Sequence, residues 1–333
     1  MIHRLPMPTP KSTASSLKAL AILLLTAAAS GATCIPKRTA AEFQPKPVFT
    51  SQPSTDQLIE VLNRSRGIQS LQSNFVTVNP NKMRNLDATL VWQRQRKFRM
   101  SGGISRMLGN NFEVGSNDEW FWMAIRGGGT PQLFVARHNE FESQPVRRIL
   151  PVSPLWILEA LGVSEVDQLI GQPVPRPDGM LELTSLSSTP TGTYTRTLVV
   201  DPRFALTRQI FLRDPSGRLV ATANQSEHEF YPSIGMSLPH RVVIQLNPII
   251  DPPTEIDITI GKYAVNSLDA TAANVTAGYE LPNPNGYEVV NLVQFNQGSP
   301  QAVTPIQVTP AAPSLQPTNS AYRGVPWDGT LLR

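Results

Sequence analysis

At 333 residues the chain is long enough for one large domain or two small ones, with a full apolar core. Proline is abundant at 31 residues and charged residues make up only 16%. The formal net charge of +4 does not describe a nucleic-acid binder: Arg4, Lys11 and Lys18 lie in the first 33 residues, which hold no Asp or Glu, and the densest basic stretch, RQRKFR from Arg94 to Arg99, reads as the exposed face of a strand.

Those first 33 residues have the form of an export signal: a basic leader, an apolar run from Leu17 to Ala29, then the small residues SGAT. The run is shorter than the ~20 apolar residues of a membrane span. Cys34, the only cysteine, follows immediately and excludes an internal disulfide. Two readings fit. Cys34 is the lipidated N-terminus of a bacterial lipoprotein, although Gly31 stands where such signals usually carry Leu. Alternatively the signal is an ordinary one cut near Ala32, with an incidental cysteine. Residues 34–53 are polar, contain Pro and have no periodicity, as expected of a tether.

The folded part is expected from Ser54. In STDQLIEVLNRSRG, Ser54 and Gln57 form a capping box, Leu58, Val61 and Leu62 an apolar stripe, and Gly67 a left-handed C-terminal cap. From Leu71 the period changes to two. LQSNFVTV, LDATLVWQRQ, KFRMSG, FEVGSNDEWFWMAI and PQLFVARHN read as strands, and in the second Leu86, Ala88, Leu90 and Trp92 share one face. Trp120 and Trp122 share a face opposite Phe121, so both faces of that strand are apolar. SPLWILEALG is a predicted helix capped by Ser153 and ended by Gly162, and SEVDQLIG a second short one. Six further strands follow: GMLELTSL, TYTRTLVVD, LTRQIFLRD, GRLVATANQSEHEFY, LPHRVVIQL and TEIDITIGKY, with RDPSGR as a turn. Beyond Asn266 the pattern decays, and residues 267–333 read as a Pro-rich, largely disordered tail. About ten meandering antiparallel strands with few helices predict a mainly β protein, a strongly curved sheet or unclosed barrel with helices over its inner side.

TLVWQRQRKFRM (Thr89 to Met100) followed by FEVGSNDEWFWMAI (Phe112 to Ile125) resembles the periplasmic lipoprotein carrier LolA and its lipid-anchored relative LolB. The resemblance covers the span from Ser54 to Asn266. It implies an unclosed antiparallel barrel with a helical lid and a hydrophobic cavity for acyl chains. It also implies that Arg94, at the end of the apolar strand, bonds the lid; a solvated strand-end arginine is the alternative. The family often has Pro next, where this chain has Gln95, and Arg96 and Arg99 stand nearby. The candidate lining residues are Leu90, Trp92, Phe98, Trp120, Trp122, Phe134, Leu155, Trp156, Leu158, Phe211 and Val243, each with ordinary core packing as the alternative.

No catalytic or metal motif occurs. Of His3, His138, His228 and His240, the first lies in the signal; SEHEF puts Glu227 and Glu229 opposite His228; His138 reads as a surface residue at a strand end. No Gly-x-Ser-x-Gly, HExxH or CxxC pattern is present, and Ser116 has no base beside it in sequence. The expectation is a non-enzymatic, monomeric envelope protein without cofactor, in the periplasm and held to the outer membrane through Cys34, whose partner is a lipid or acylated lipoprotein. A sensor or interaction module on the same fold, and a structural surface lipoprotein, are the alternatives.

Overall fold

The computed structural model describes residues 45, 47–104, 110–127, 129–142, 151–153, 155–189, 192–248, 252–268 and 278–292. The signal sequence and Cys34 lie outside the described residues.

The first helix, α1 (Thr55–Leu62), begins as the sequence indicates. Ser54 Oγ accepts from the Gln57 amide at 3.2 Å, and Gln57 Oε1 accepts from the Ser54 amide at 2.9 Å. This reciprocal pair satisfies two of the donors that a helix start leaves open. Leu58, Val61 and Leu62 are its buried face. The α-helix ends at Asn63 rather than at Gly67, and a 3-10 turn (Asn63–Gly67) continues the chain to the sheet.

Six strands follow in a meander: β1 (Ser70–Pro80), β2 (Leu86–Gln93), β3 (Lys97–Gly103), β4 (Phe112–Ser116), β5 (Trp120–Ile125) and β6 (Gln132–Arg137). A short helix α2 (His138–Glu142) and a second, α3 (Trp156–Ala160), precede the other half of the sheet. That half is β7 (Val174–Pro175), β8 (Leu181–Thr189), β9 (Gly192–Asp201), β10 (Leu206–Arg213), β11 (Leu219–Tyr231), β12 (Met236–Leu246), β13 (Thr254–Ile260) and β14 (Ala264–Val265). A last strand, β15 (Glu288–Asn291), comes from the region expected to be tail.

Among the described residues, fifteen strands form one sheet in the order β15-β6-β5-β4-β3-β2-β1-β13-β12-β11-β10-β9-β8-β7, with β14 beside β1. Every pairing is antiparallel except β15 with β6. The order runs between two free ends, so the sheet is curved but not closed. This is the predicted mainly β architecture, and α1 and α3 lie on its inner side.

Cross-strand register assigns the faces. Leu71, Trp92 and Phe98 stand opposite one another, as do Leu90 and Met100. Across β3 and β4, Met100 faces Val114 and Phe98 faces Ser116. These residues share an inner face with Ile210 and Leu212 of β10, Ala221 and Ala223 of β11, Val242 and Ile244 of β12, and Ile258 and Ile260 of β13, in one continuous apolar cluster. Leu58 and Leu62 of α1 and Trp156, Leu158 and Leu161 of and after α3 pack into the same cluster from the other side.

Two sequence expectations are corrected here. SEVDQLIG is not helical; residues 164–168 run as an irregular segment with Val166 buried. Its polar groups are taken up by neighbours in space rather than by helix bonds. Asn63 exchanges hydrogen bonds with the Val166 backbone, 2.9 Å to its carbonyl and 2.7 Å from its amide, and Ser65 Oγ donates to Ser164 O at 2.6 Å. Second, the sheet does not stop at Asn266. The Leu292 amide donates to Val135 O at 2.9 Å and the Glu288 amide to Pro131 O at 2.7 Å, which adds a strand to the edge of β6.

Gly115 is set by a close approach. A Cβ there would lie 2.2 Å from the Trp122 indole, which crosses β4 at that point and is wholly buried. Gly115→Ala is expected to lower stability by about 1–3 kcal/mol through overpacking, read by urea unfolding followed by circular dichroism.

Candidate functional site

The lid and sheet meet in two different chemistries. Inside, the contact is mainly apolar, with buried hydrogen bonds from Ser65 and Gln225. At the rim it is a set of directional bonds from the sheet to the two lid segments. Arg94, at the end of β2, donates to the carbonyls of Arg66 and Ile68 and pairs with the Glu165 carboxylate. It reaches these partners because its own amide is tied to Gln69 O at 2.9 Å, which holds the strand end against the chain leaving the 3-10 turn. Arg196 of β9 pairs with Glu159 at 3.2 Å, donates to Glu165 O and contacts Ser185 Oγ at 3.2 Å. Gln225 of β11 donates to Ala160 O at 2.8 Å, the carbonyl end of α3. Arg66 joins Glu165 at 3.0 Å and Asp167 at 3.3 Å. Together with the Asn63 and Ser65 bonds, these make α1, the 3-10 turn and residues 159–167 one connected lid.

The predicted lining residues separate into three groups. Leu90, Trp92, Phe98, Trp156 and Leu158 lie between lid and sheet, all buried, and Leu155 packs against them half-buried. Phe134 is on the same sheet face but in a smaller group with Phe121, Ala136 and Leu292. The remaining four are elsewhere. Phe211 and Val243 are half-buried on the outer face, because their neighbours Ile210, Leu212, Val242 and Ile244 take the inner one. Trp120 and Trp122 are also on the outer face, and the residue between them, Phe121, faces inward. A one-residue change of parity moves a strand's whole apolar set across the sheet. In this strand both sets are apolar, so the pattern is compatible with either choice.

The outer tryptophans have their own cover. Trp122 packs with Ala124, Leu133 and Val135 under Leu281, Tyr287 and Val289. Its indole N–H donates to Glu113 at 2.9 Å, and Glu113 also pairs with Arg99 at 2.8 Å. Asn117 donates to Tyr279 O at 3.1 Å, and Arg137 stacks over Trp120 at 4.7 Å.

One juxtaposition escaped sequence reasoning. Ser116 and His138, 22 residues apart, are buried with Oγ 3.1 Å from Nε2. The same nitrogen is 3.0 Å from Asn117 O. A carbonyl only accepts, so Nε2 carries its proton and points it at both oxygens; that nitrogen is not a base for Ser116. His138 is a buried hydrogen-bonded residue, not the surface residue expected. His240 is likewise engaged, with Nδ1 2.7 Å from Ile260 O and Nε2 2.9 Å from Tyr231 Oη. Among the described residues no group of three or more His, Cys, Asp or Glu converges as for a metal, and no helix is long and apolar enough to cross a membrane. Two surface depressions, of about 460 and 350 Å³, border Phe49, Arg176 and Pro202 and Asn81, Gln245 and Pro253 respectively; neither includes a predicted lining residue.

No protein-family model matches the sequence, and none of the curated proteins does. Among solved structures, the chain is similar to an outer-membrane lipoprotein-sorting protein domain from Vibrio parahaemolyticus, at 10% identity over 68% of this chain and 100% of that one, with a TM-score of 0.45. It is similar also to a LolA superfamily protein from Nitrosomonas europaea, at 12% identity over 65% of this chain and 95% of that one, with a TM-score of 0.40. The likeness is one of fold. The unclosed antiparallel sheet and its helical cover, implied by the sequence resemblance, stand on the register and packing described above. The partners of Arg94 and Arg196 had no sequence signal: Glu165 lies 71 residues from Arg94 and 31 from Arg196.

Two outcomes follow from this geometry. Arg94→Ala removes a charge-assisted set worth about 2 kcal/mol, so amide exchange in Leu58–Gly67 is expected to quicken by about thirtyfold while β9–β12 stay protected; a uniform change across the protein would mean the lid does not open separately. His228 is held neutral. Burial, then the Arg208 guanidinium 3.4 Å from Nδ1, push its pKa down to about 3, while its Nε2 donates to Thr207 O at 3.1 Å. The unfolded chain takes up a proton below pH 6.5 and the folded one does not, so this contribution is complete above 6.5 and lost as pH falls toward 3. Urea unfolding is expected to lose roughly 2 kcal/mol between pH 7 and 5 from this group, a slope that His228→Gln removes.

Proposed function

We propose that this chain is an exported, lipid-anchored envelope protein that takes an acyl chain of a lipid or lipoprotein between its helical lid and its sheet. The observation that supports this is the division of contacts at the lid. The interior contact is mainly apolar. The charged bonds sit at the rim, on Arg94 and Arg196, and the buried Gln225 adds one bond to the carbonyl end of α3. Breaking these few bonds would therefore uncover a contiguous apolar face without unfolding a strand.

The need for such a face can be given a size. A chain of ~14 methylenes costs about 11 kcal/mol to expose to water at about 0.8 kcal/mol each. An apolar surface offsets this without oriented polar groups, and no bond is made or broken. Export, the lipid anchor at Cys34, a place in the periplasm or at the outer membrane and a monomeric state belong to this proposal, as does the role of Arg94 as a latch.

One observation favours a second reading. The inner face is filled, with Leu90 wholly buried and Trp92, Phe98, Trp156 and Leu158 no more than 6% exposed. A sensor or interaction module on the same fold would have a permanently packed interior.

Native mass spectrometry of the full mature chain, purified without detergent, separates the two. A co-purified acyl species, or uptake of added acyl lipid that becomes faster in Arg94→Ala, is the expected result. A chain that stays empty in both forms would overturn the carrier reading and leave the packed module.

A further inference from the structure

The lid–sheet interface holds two polar atoms that its apolar packing does not explain. The indole N–H groups of Trp92 and Trp156 are buried and, among the described residues, have no hydrogen-bond partner. Trp92 is 3% exposed and sits on the sheet, between Leu71 and Phe98 in register; Trp156 is 5% exposed and is the first residue of α3 in the lid. Both belong to the cluster in which lid and sheet meet. The indole of Trp122, by contrast, is wholly buried and donates to Glu113. Buried indole N–H groups usually find an acceptor, and leaving one without costs free energy. Phe would fill much of the same space without that cost.

Resting on the reading that an acyl chain enters this interface, we propose that the ligand carries uncharged carbonyl oxygens, as an acyl ester or amide does, and that Trp92 on the sheet and Trp156 on the lid donate to them. The acceptor must be neutral because the cluster around the two indoles is apolar. Arg94, the cation at its rim, is already engaged by Glu165. A free carboxylate would be desolvated there without a counter-charge. A neutral carbonyl oxygen brings the lone pairs that these donors lack while its alkyl chain replaces the lid's apolar contacts. In this arrangement the two tryptophans read the head of the chain and the rest of the interface reads only its length and greasiness.

The test is displacement of a bound fluorescent apolar dye from the full chain by two probes of equal chain length, methyl palmitate and hexadecane. The wild type is expected to prefer the ester by about tenfold. Trp92→Phe with Trp156→Phe is expected to erase that preference, so that ester and hexadecane displace the dye equally well whatever the absolute affinity of the variant, with circular dichroism confirming that it is folded. In the unmutated protein, methyl palmitate is expected to move the indole N–H proton resonances of Trp92 and Trp156 downfield, and hexadecane to leave them in place. An ester preference that survives the double substitution, or indole resonances that respond equally to both probes, would overturn the proposal. A wild type that binds neither probe would instead overturn the acyl-binding reading itself, and this inference with it.

Discussion

A long antiparallel sheet with one continuous apolar face has to cover that face, and the rest of this structure follows from that constraint. From β3 through β1 to β9 the inner residues form a single cluster, so the sheet curls around them and the remaining opening is filled by helical segments. Those segments are short. The eight residues of α1 and the five of α3 would be marginal helices alone. They persist because Leu58, Leu62, Trp156, Leu158 and Leu161 are buried against the sheet, so the lid and the inner face stabilise each other.

The outer constraints are met differently. A free sheet edge exposes unpaired backbone groups and invites association. At one end, β7 is two residues long and finishes in Pro175, which lacks an amide donor. At the other, β15 returns from far along the chain and pairs with β6. The same return places Leu281, Tyr287 and Val289 over Trp122. One segment therefore replaces the edge of β6 with a strand of only four residues and covers the apolar patch beside it. This explains why three consecutive aromatics fit in β5: Phe121 serves the inner face, while Trp120 and Trp122 serve a second, smaller core on the outside.

The directional bonds concentrate where the lid meets the sheet rim. Ion pairs at half-exposed positions are individually modest, and here several act on the same short segment. Glu165 alone is contacted by Arg66 and Arg94 through its side chain and by Arg196 through its carbonyl. An irregular backbone at residues 164–168 suits this work better than a helix, since its carbonyls and amides remain available to Asn63, Ser65 and Arg196.

How much was legible depended on the range of the interaction. The capping box at Ser54, the period-two strands, the Asp214–Gly217 turn and the mainly β, unclosed architecture are local patterns or sums of them, and the sequence by itself determined these. The inward face of LDATLVWQRQ could be read because its other face carries Asp87, Thr89 and Gln93. The parity of WFW could not, because alternation states which residues share a face and not which face meets the core when both are apolar. Phe211 and Val243 fail for the same reason: their immediate neighbours are as apolar as they are. Only the tertiary structure decided the partners of Arg94, the Ser116–His138 contact, the unsatisfied indoles of Trp92 and Trp156, and the return of β15. Each joins residues tens of positions apart, and a contact that depends on how far the sheet curls leaves no period or spacing in the chain.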